Sequence, residues 1–184
     1  VADSLPFISE TFRLVRAELN GSLPVLGFAG APLTLAVFIL EGGSFGGGIK
    51  RSRSVLAQEP VLIHGLLQRL TEMTIDFLIL QIESGANAVQ LFESAADLFS
   101  MDEYRSFALP YQQRIFEALR GMVPTIIFAR GWSDLDSLHA SGADILSLSE
   151  AVRIAEARRQ FGEGLVVQGN LNNRLLVTGS KDEI

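Results

Sequence analysis

An α/β fold built on a parallel sheet is what this 184-residue sequence predicts, on three observations. Five short apolar runs are continuous rather than alternating, as strands covered on both faces are. Between them lie segments whose apolar residues recur at helical spacing. Glycine, proline or asparagine punctuates most junctions, where turn chemistry belongs. Strand and helix therefore alternate five times, the pattern of a parallel sheet with crossover helices.

Pro6 to Leu19 carries Phe7, Ile8, Phe12, Val15 and Leu19 at helical spacing and closes at Asn20-Gly21. Leu23 to Phe28 reads as the first strand. The chain then turns on Gly30, and Pro32 is placed as the first residue of a helix, where its missing N–H is no loss. That helix is apolar almost all round and stops at Gly42-Gly43. Gly42 to Gly48 holds five glycines in seven residues and reads as a mobile flap, with Lys50, Arg51 and Arg53 in a solvated turn beyond it. Pro60 opens the longest helix, which puts Ile63, Leu66, Leu67, Leu70, Met73, Phe77 and Leu80 on one stripe and ends before Gly85.

Ala88 to Phe92 is the second strand. Ser100 is placed as the N-cap of the next helix, with Asp102 and Glu103 in its first turn. Pro110 forces a kink or a restart there, because its ring blocks the preceding turn. Thr125 to Ala129 is the third strand, followed by a short helix capped by Ser133 and running to Ala140. Ile145 to Leu148 is the fourth strand, about Glu150 to Phe161 the next helix, and Leu165 to Gln168 the fifth strand. The residues after it look like the start of another helix. Spacing alone suits a (β/α) barrel and a doubly wound sheet about equally.

Composition narrows the function. The net charge is −6, which argues against a general nucleic-acid surface. Cysteine is absent, so disulfides, thiolate metal sites and cysteine nucleophiles are all excluded from this sequence. The first residues, Val1-Ala2-Asp3-Ser4, lack the basic start and apolar core of a secretory leader, and the longest apolar stretch, Leu33 to Leu40, is too short to span a bilayer. A cytoplasmic protein without membrane or nucleic-acid partners is the expectation.

Sites on parallel sheets lie at the carboxyl ends of strands. That rule selects Phe28 to Gly30, Phe92 to Ser94, Ala129 to Gly131, Ser147 to Ser149 and Gln168 to Asn170. Gly27 and Gly30, lacking a Cβ, would let a ligand approach the backbone. Phe28 and Phe38 would line it, although phenylalanines at such places are as often simple core residues. Ser94 is read locally as a cap or turn hydroxyl. A nucleophilic role for it lacks a base, because His64 and His139 both fall inside helices. The glycine loop with Lys50 is not a phosphate cradle: Ile49 separates Gly48 from Lys50, and no strand runs into the loop.

The words GAPLTLAVFILEGG (Gly30 to Gly43), Gln90-Leu91-Phe92-Glu93-Ser94 and Gln168-Gly169-Asn170-Leu171, in this order, resemble the uroporphyrinogen decarboxylase family from about Leu14 onward. The resemblance implies a (β/α)8 TIM barrel, of which five of eight strand–helix units are present, so that residues 1–184 form the central part of one domain truncated at both ends. It implies cofactor-free, metal-free removal of carbon dioxide from the four acetate arms of uroporphyrinogen III, giving coproporphyrinogen III in porphyrin and haem biosynthesis, commonly by a homodimer. Phe28 and Phe92 become walls against which the macrocycle lies, and Ser94 a hydrogen-bond partner of one carboxylate arm. Phe38 stands where the family usually has tyrosine, keeping the ring without the hydroxyl. Glu93 is expected to be an acceptor behind the pocket, paired with Arg130.

The family's catalytic aspartate, its paired arginines in the motif RQAGRY and a substrate-binding histidine find no counterpart in this sequence, so no catalytic residue is assigned within it. Ser149 and Asn172-Asn173 also depart from the family's aspartate and Asp-Pro. Two other readings follow: a cobalamin- or thiol-dependent methyltransferase on the same barrel, or a barrel that binds a tetrapyrrole without turning it over.

Overall fold

The computed structural model describes residues 4–181. Val1 to Asp3, the start of the stretch read for a leader, lie outside the described residues. The five strands are β1 (Leu26–Gly30), β2 (Ala88–Glu93), β3 (Thr125–Ala129), β4 (Ile145–Ser147) and β5 (Val166–Gln168). All neighbours are parallel, and their order across the sheet is β1-β2-β3-β4-β5. A doubly wound sheet reverses its strand order at a switch point, whereas a barrel lays strands down in sequence. Five consecutive strands without a reversal, each joined to the next through helices, make this a partial (β/α)8 barrel.

The helices are α1 (Pro6–Leu19), α2 (Pro32–Glu41), α3 (Lys50–Gln58), α4 (Pro60–Glu83), α5 (Met101–Phe107), α6 (Leu109–Leu119), α7 (Leu135–Ala140), α8 (Ile154–Phe161) and α9 (Leu175–Thr178). Their ends follow local chemistry where the sequence carries it. Pro32 and Pro60 open α2 and α4, and Asn20 and Gly42 close α1 and α2 in the left-handed conformation. Ser100 forms a reciprocal capping box with Glu103, and the helix breaks at Ala108 and restarts at Leu109, one residue before Pro110.

Several expectations are corrected. The first strand begins at Leu26 rather than Leu23, because its pairing with β2 starts opposite Ala88. The fourth and fifth strands are each a residue shorter, and α8 starts at Ile154. Lys50, Arg51 and Arg53 are not a solvated turn but the first residues of α3; the Ser52 amide and hydroxyl both donate to Glu41 at 2.7 Å, so the glycine loop is closed at its base. Asp134, not Ser133, is the N-cap residue of α7. On α4 the buried stripe runs through Ile63, Leu67, Leu70, Thr71, Thr74, Leu78 and Gln81, leaving Met73 exposed.

Strand register divides the sheet into two faces, since side chains alternate along each strand and aligned residues share a face. Gly27, Ala29, Val89, Leu91, Glu93, Ile127, Ala129 and Leu146 point to the helices, and every one with a side chain is buried. The other face carries Phe28, Gln90, Ile126, Ile145 and Val166 in one row and Gly30, Phe92, Phe128, Ser147 and Gln168 in the next. In a closed barrel that second face is the interior, and its upper row lies at the carboxyl ends of the strands.

Candidate active site

Two of the predicted residues meet on this face, Phe28 in the lower row and Phe92 in the upper. Phe28 and Phe92 stand edge to face with ring centroids 5.9 Å apart, and Phe92 meets Phe128 in the same manner at 5.5 Å. Three aromatic rings from three successive strands thus form one apolar surface on the face turned away from the helices. Phe28, at its outer side, is 63% exposed. Phe128 was missed by the sequence reading, which took only Ala129 onward from the third strand; its register with Phe92 is the signal that finds it.

Ser94 follows the last residue of β2 directly and is half-buried. The local reading of it as a cap is corrected: the 3-10 turn at Ala96–Leu98 starts from Ala95 and takes no side-chain cap. Among the described residues the Ser94 hydroxyl makes no hydrogen bond. The neighbouring strand end contributes Arg130, whose amide donates to the Glu93 carbonyl at 3.1 Å. Its guanidinium pairs with Asp97 at 2.9 Å and lies over the ring of Phe45, 5.8 Å from the centroid.

Phe38 sits apart from the three strand phenylalanines. It projects from the second half of α2, 38% exposed, and packs against Phe45 of the glycine loop with centroids 4.7 Å apart. Phe38, Ser44, Phe45, Leu98 and Arg130 line a hollow of about 460 Å³. The glycine loop therefore contributes an aromatic wall, through the one large apolar residue in an otherwise small-residue segment.

The Gly27 assignment is corrected: a Cβ there would lie 2.8 Å from Gln81 Oε1, so that space belongs to helix packing, whereas one on Gly30, on the opposite sheet face, would meet the Leu35 side chain at 2.9 Å. Gln81 uses its space well. Its Oε1 accepts from the Phe28 amide at 2.9 Å and its Nε2 donates to the Phe28 carbonyl at 3.0 Å. At the far end of the sheet Gly169 has φ +101°, and a Cβ there would press on the Leu148 carbonyl at 3.0 Å. Asn170 beside it donates to the carbonyls of Ser149 and Val152, tying the ends of β4 and β5 together.

The expected Glu93–Arg130 pair does not form, for a reason of strand parity. Glu93 falls on the helix side with Val89 and Leu91 and is fully buried, whereas Arg130 lies beyond the end of β3. Glu93 instead accepts from the Thr34 hydroxyl at 2.5 Å and from Gln112 Nε2 at 3.1 Å. Burial pushes its carboxyl up to about 7, against the lowering effect of those two hydrogen bonds. Tyr104 donates to Gln112 Oε1 at 3.0 Å, and burial pushes its phenol up as well. Both histidines are exposed on helices: His64 bonds Tyr111 at 2.6 Å, and His139 stacks on Phe161.

The family model described as uroporphyrinogen decarboxylase (URO-D) matches residues 1–184. The uroporphyrinogen decarboxylase of Chloroherpeton thalassium is 37% identical over 180 residues, covering 96% of this chain and 51% of its own length. The chloroplastic uroporphyrinogen decarboxylase 2 of Arabidopsis thaliana is 38% identical over 186 residues, covering 99% of this chain and 47% of its own. Among solved structures, a methyltransferase from Methanosarcina mazei superposes with a TM-score of 0.76 at 22% identity, over 90% of this chain and 48% of that one, a likeness of fold. The chain spans about half the length of the curated relatives it matches.

Proposed function

The chain belongs to the uroporphyrinogen decarboxylase family, and from that premise we propose that the protein carrying it is a carboxy-lyase that converts uroporphyrinogen III to coproporphyrinogen III. The observation that carries this reading is the family match over the whole chain together with the aromatic surface at the strand ends. In each of four rounds, one acetate arm loses carbon dioxide. The electrons of the breaking C–C bond are taken up by a pyrrole ring protonated beforehand at carbon; a proton then completes the methyl group and the ring carbon gives up the one it had gained, so each round consumes one proton.

Phe28, Phe92 and Phe128 would give the macrocycle an apolar bed that excludes water from the reacting arm. Ser94, at the polar end of that bed, would donate a hydrogen bond to a carboxylate arm. Phe38 and Phe45 would close the side with rings that carry no hydroxyl. The charged groups that protonate the ring and hold the remaining carboxylates are assigned, by the resemblance, to segments of the family outside this chain. A cytoplasmic homodimer with no cofactor is the form proposed for the whole protein. No described helix is long and apolar enough to cross a membrane.

The test is formation of coproporphyrinogen from uroporphyrinogen, measured for the natural gene product and for the 184-residue chain. Product from the gene product and none from the chain is expected. Tight tetrapyrrole binding without carbon dioxide release by the gene product would replace this reading with that of a non-catalytic binder.

A further inference from the structure

Glu93 has no part in the chemistry proposed above, yet it is the best-connected polar group behind the candidate site. Its carboxyl is fully buried and is met by two neutral donors, Thr34 Oγ1 from the first turn of α2 and Gln112 Nε2 from α6. Burying a carboxyl in such company is costly relative to an apolar side chain of the same size. What the carboxylate supplies is a pair of acceptor atoms facing two donors. The Thr34 hydroxyl has one proton, and with that proton directed at Glu93 its lone pairs face the Ala95 amide, which donates to it at 3.1 Å. On the other side Tyr104 donates to Gln112 Oε1, which leaves the Gln112 amino group to face Glu93.

The main chain at the same strand end is tied from both sides. Ala31 donates to the Phe92 carbonyl at 2.9 Å, and Arg130 to that of Glu93 at 3.1 Å. Ser94 thus lies between a backbone tied at Phe92 and Glu93 and an amide held by Thr34 at Ala95.

We propose that Glu93 is a positioning residue for Ser94: by accepting the Thr34 proton it turns that hydroxyl into the acceptor of the Ala95 amide, and so fixes the loop that presents Ser94 to a carboxylate arm of the ligand. The inference rests on the reading of Ser94 given above.

Three substitutions separate the links. Thr34→Val keeps the shape and removes the relay, Thr34→Ser keeps the relay, and Ser94→Ala removes its end point. Affinity of the natural gene product for uroporphyrin, the air-stable oxidised form of the proposed substrate, is read by fluorescence, alongside hydrogen exchange at the Ala95 amide. Thr34→Val is expected to weaken binding about tenfold, the scale of one lost hydrogen bond. Thr34→Ser should bind like the parent, and Thr34→Val should add nothing in the Ser94→Ala background. Glu93→Leu should reproduce the Thr34→Val result, and where that variant fails to fold Thr34→Val decides.

A Thr34→Val loss of the same size with and without Ser94 would overturn the proposal, since a general loosening of the fold does not depend on the Ser94 hydroxyl. Unchanged Ala95 exchange in Thr34→Val would overturn it equally. A parent protein that binds no uroporphyrin would instead remove the functional reading. Exchange at Ala95 would then still decide the relay, with faster exchange in Thr34→Val and parent-like exchange in Thr34→Ser supporting it.

Discussion

Burial makes the Glu93 carboxyl hold its proton more tightly in the folded chain than in the unfolded one, despite the two neutral donors that favour the charged form. Between the ordinary value of 4.5 and its folded value of about 7, the unfolded state binds fewer protons than the native state, so stability falls as pH rises across that window and levels off above it. The span corresponds to about 3 kcal/mol. Glu93→Gln mimics the protonated form and carries no charge to bury. Its stability relative to the parent is therefore expected to rise by that amount between about pH 4.5 and about pH 7, which urea titrations of both proteins at the two ends of the window would measure. The sequence could show that an acid stood at this strand end but not which way it faced. Arg130 follows a neighbouring motif, and pairing the two looked natural; the period of two along β2 decided otherwise. Thr34 and Gln112 carried no signal of their own, since a threonine near a helix start and a glutamine inside a helix are ordinary residues until the fold brings them to one carboxyl.

Elements were legible where their ends are marked by local chemistry. Pro32, Pro60, Asn20, Gly42 and the Ser100–Glu103 pair set helix ends through backbone geometry and capping, which need no knowledge of the rest of the chain. Ser100→Ala removes one side of the capping box and is expected to cost about 1 kcal/mol, seen as a lower urea midpoint with an unchanged slope. Strand ends depend on partners instead. Leu23 to Val25 are as apolar as β1 itself, but the amide of Val25 goes to the Asn87 side chain at 2.9 Å, and pairing with β2 starts only at Leu26. Helix α3 was missed for a related reason. Its sequence, KRSRSVLAQ, offers only Val55 and Leu56 as large apolar residues, too few for a stripe. What holds it is tertiary: Ser52 to Glu41 at one end, and Arg53 to Glu103 and the Leu98 carbonyl along its side.

For the molecule as a whole, alternation of strand and helix predicted the parallel sheet, and the order of strands then separated a barrel from a doubly wound sheet. Periodicity could not make that second choice, because both folds are built from the same units. The rule that sites lie at carboxyl ends of strands selected Phe28, Phe92 and Ser94 as candidates; adding Phe128 and Phe45 to them needed the register and the packing of the glycine loop. One small arrangement has a wider bearing. Among the described residues β1 pairs with one strand only, and on its other side the amide and carbonyl of Phe28 are held by a side chain. By lending its side-chain amide to Phe28, Gln81 ties the middle of β1 to α4. Gln81→Leu keeps the bulk but leaves both backbone groups without that partner, and is expected to cost about 1–3 kcal/mol, seen as a lower urea midpoint with an unchanged slope. An internal glutamine on α4 thus does for Phe28 what a neighbouring backbone does elsewhere in the sheet.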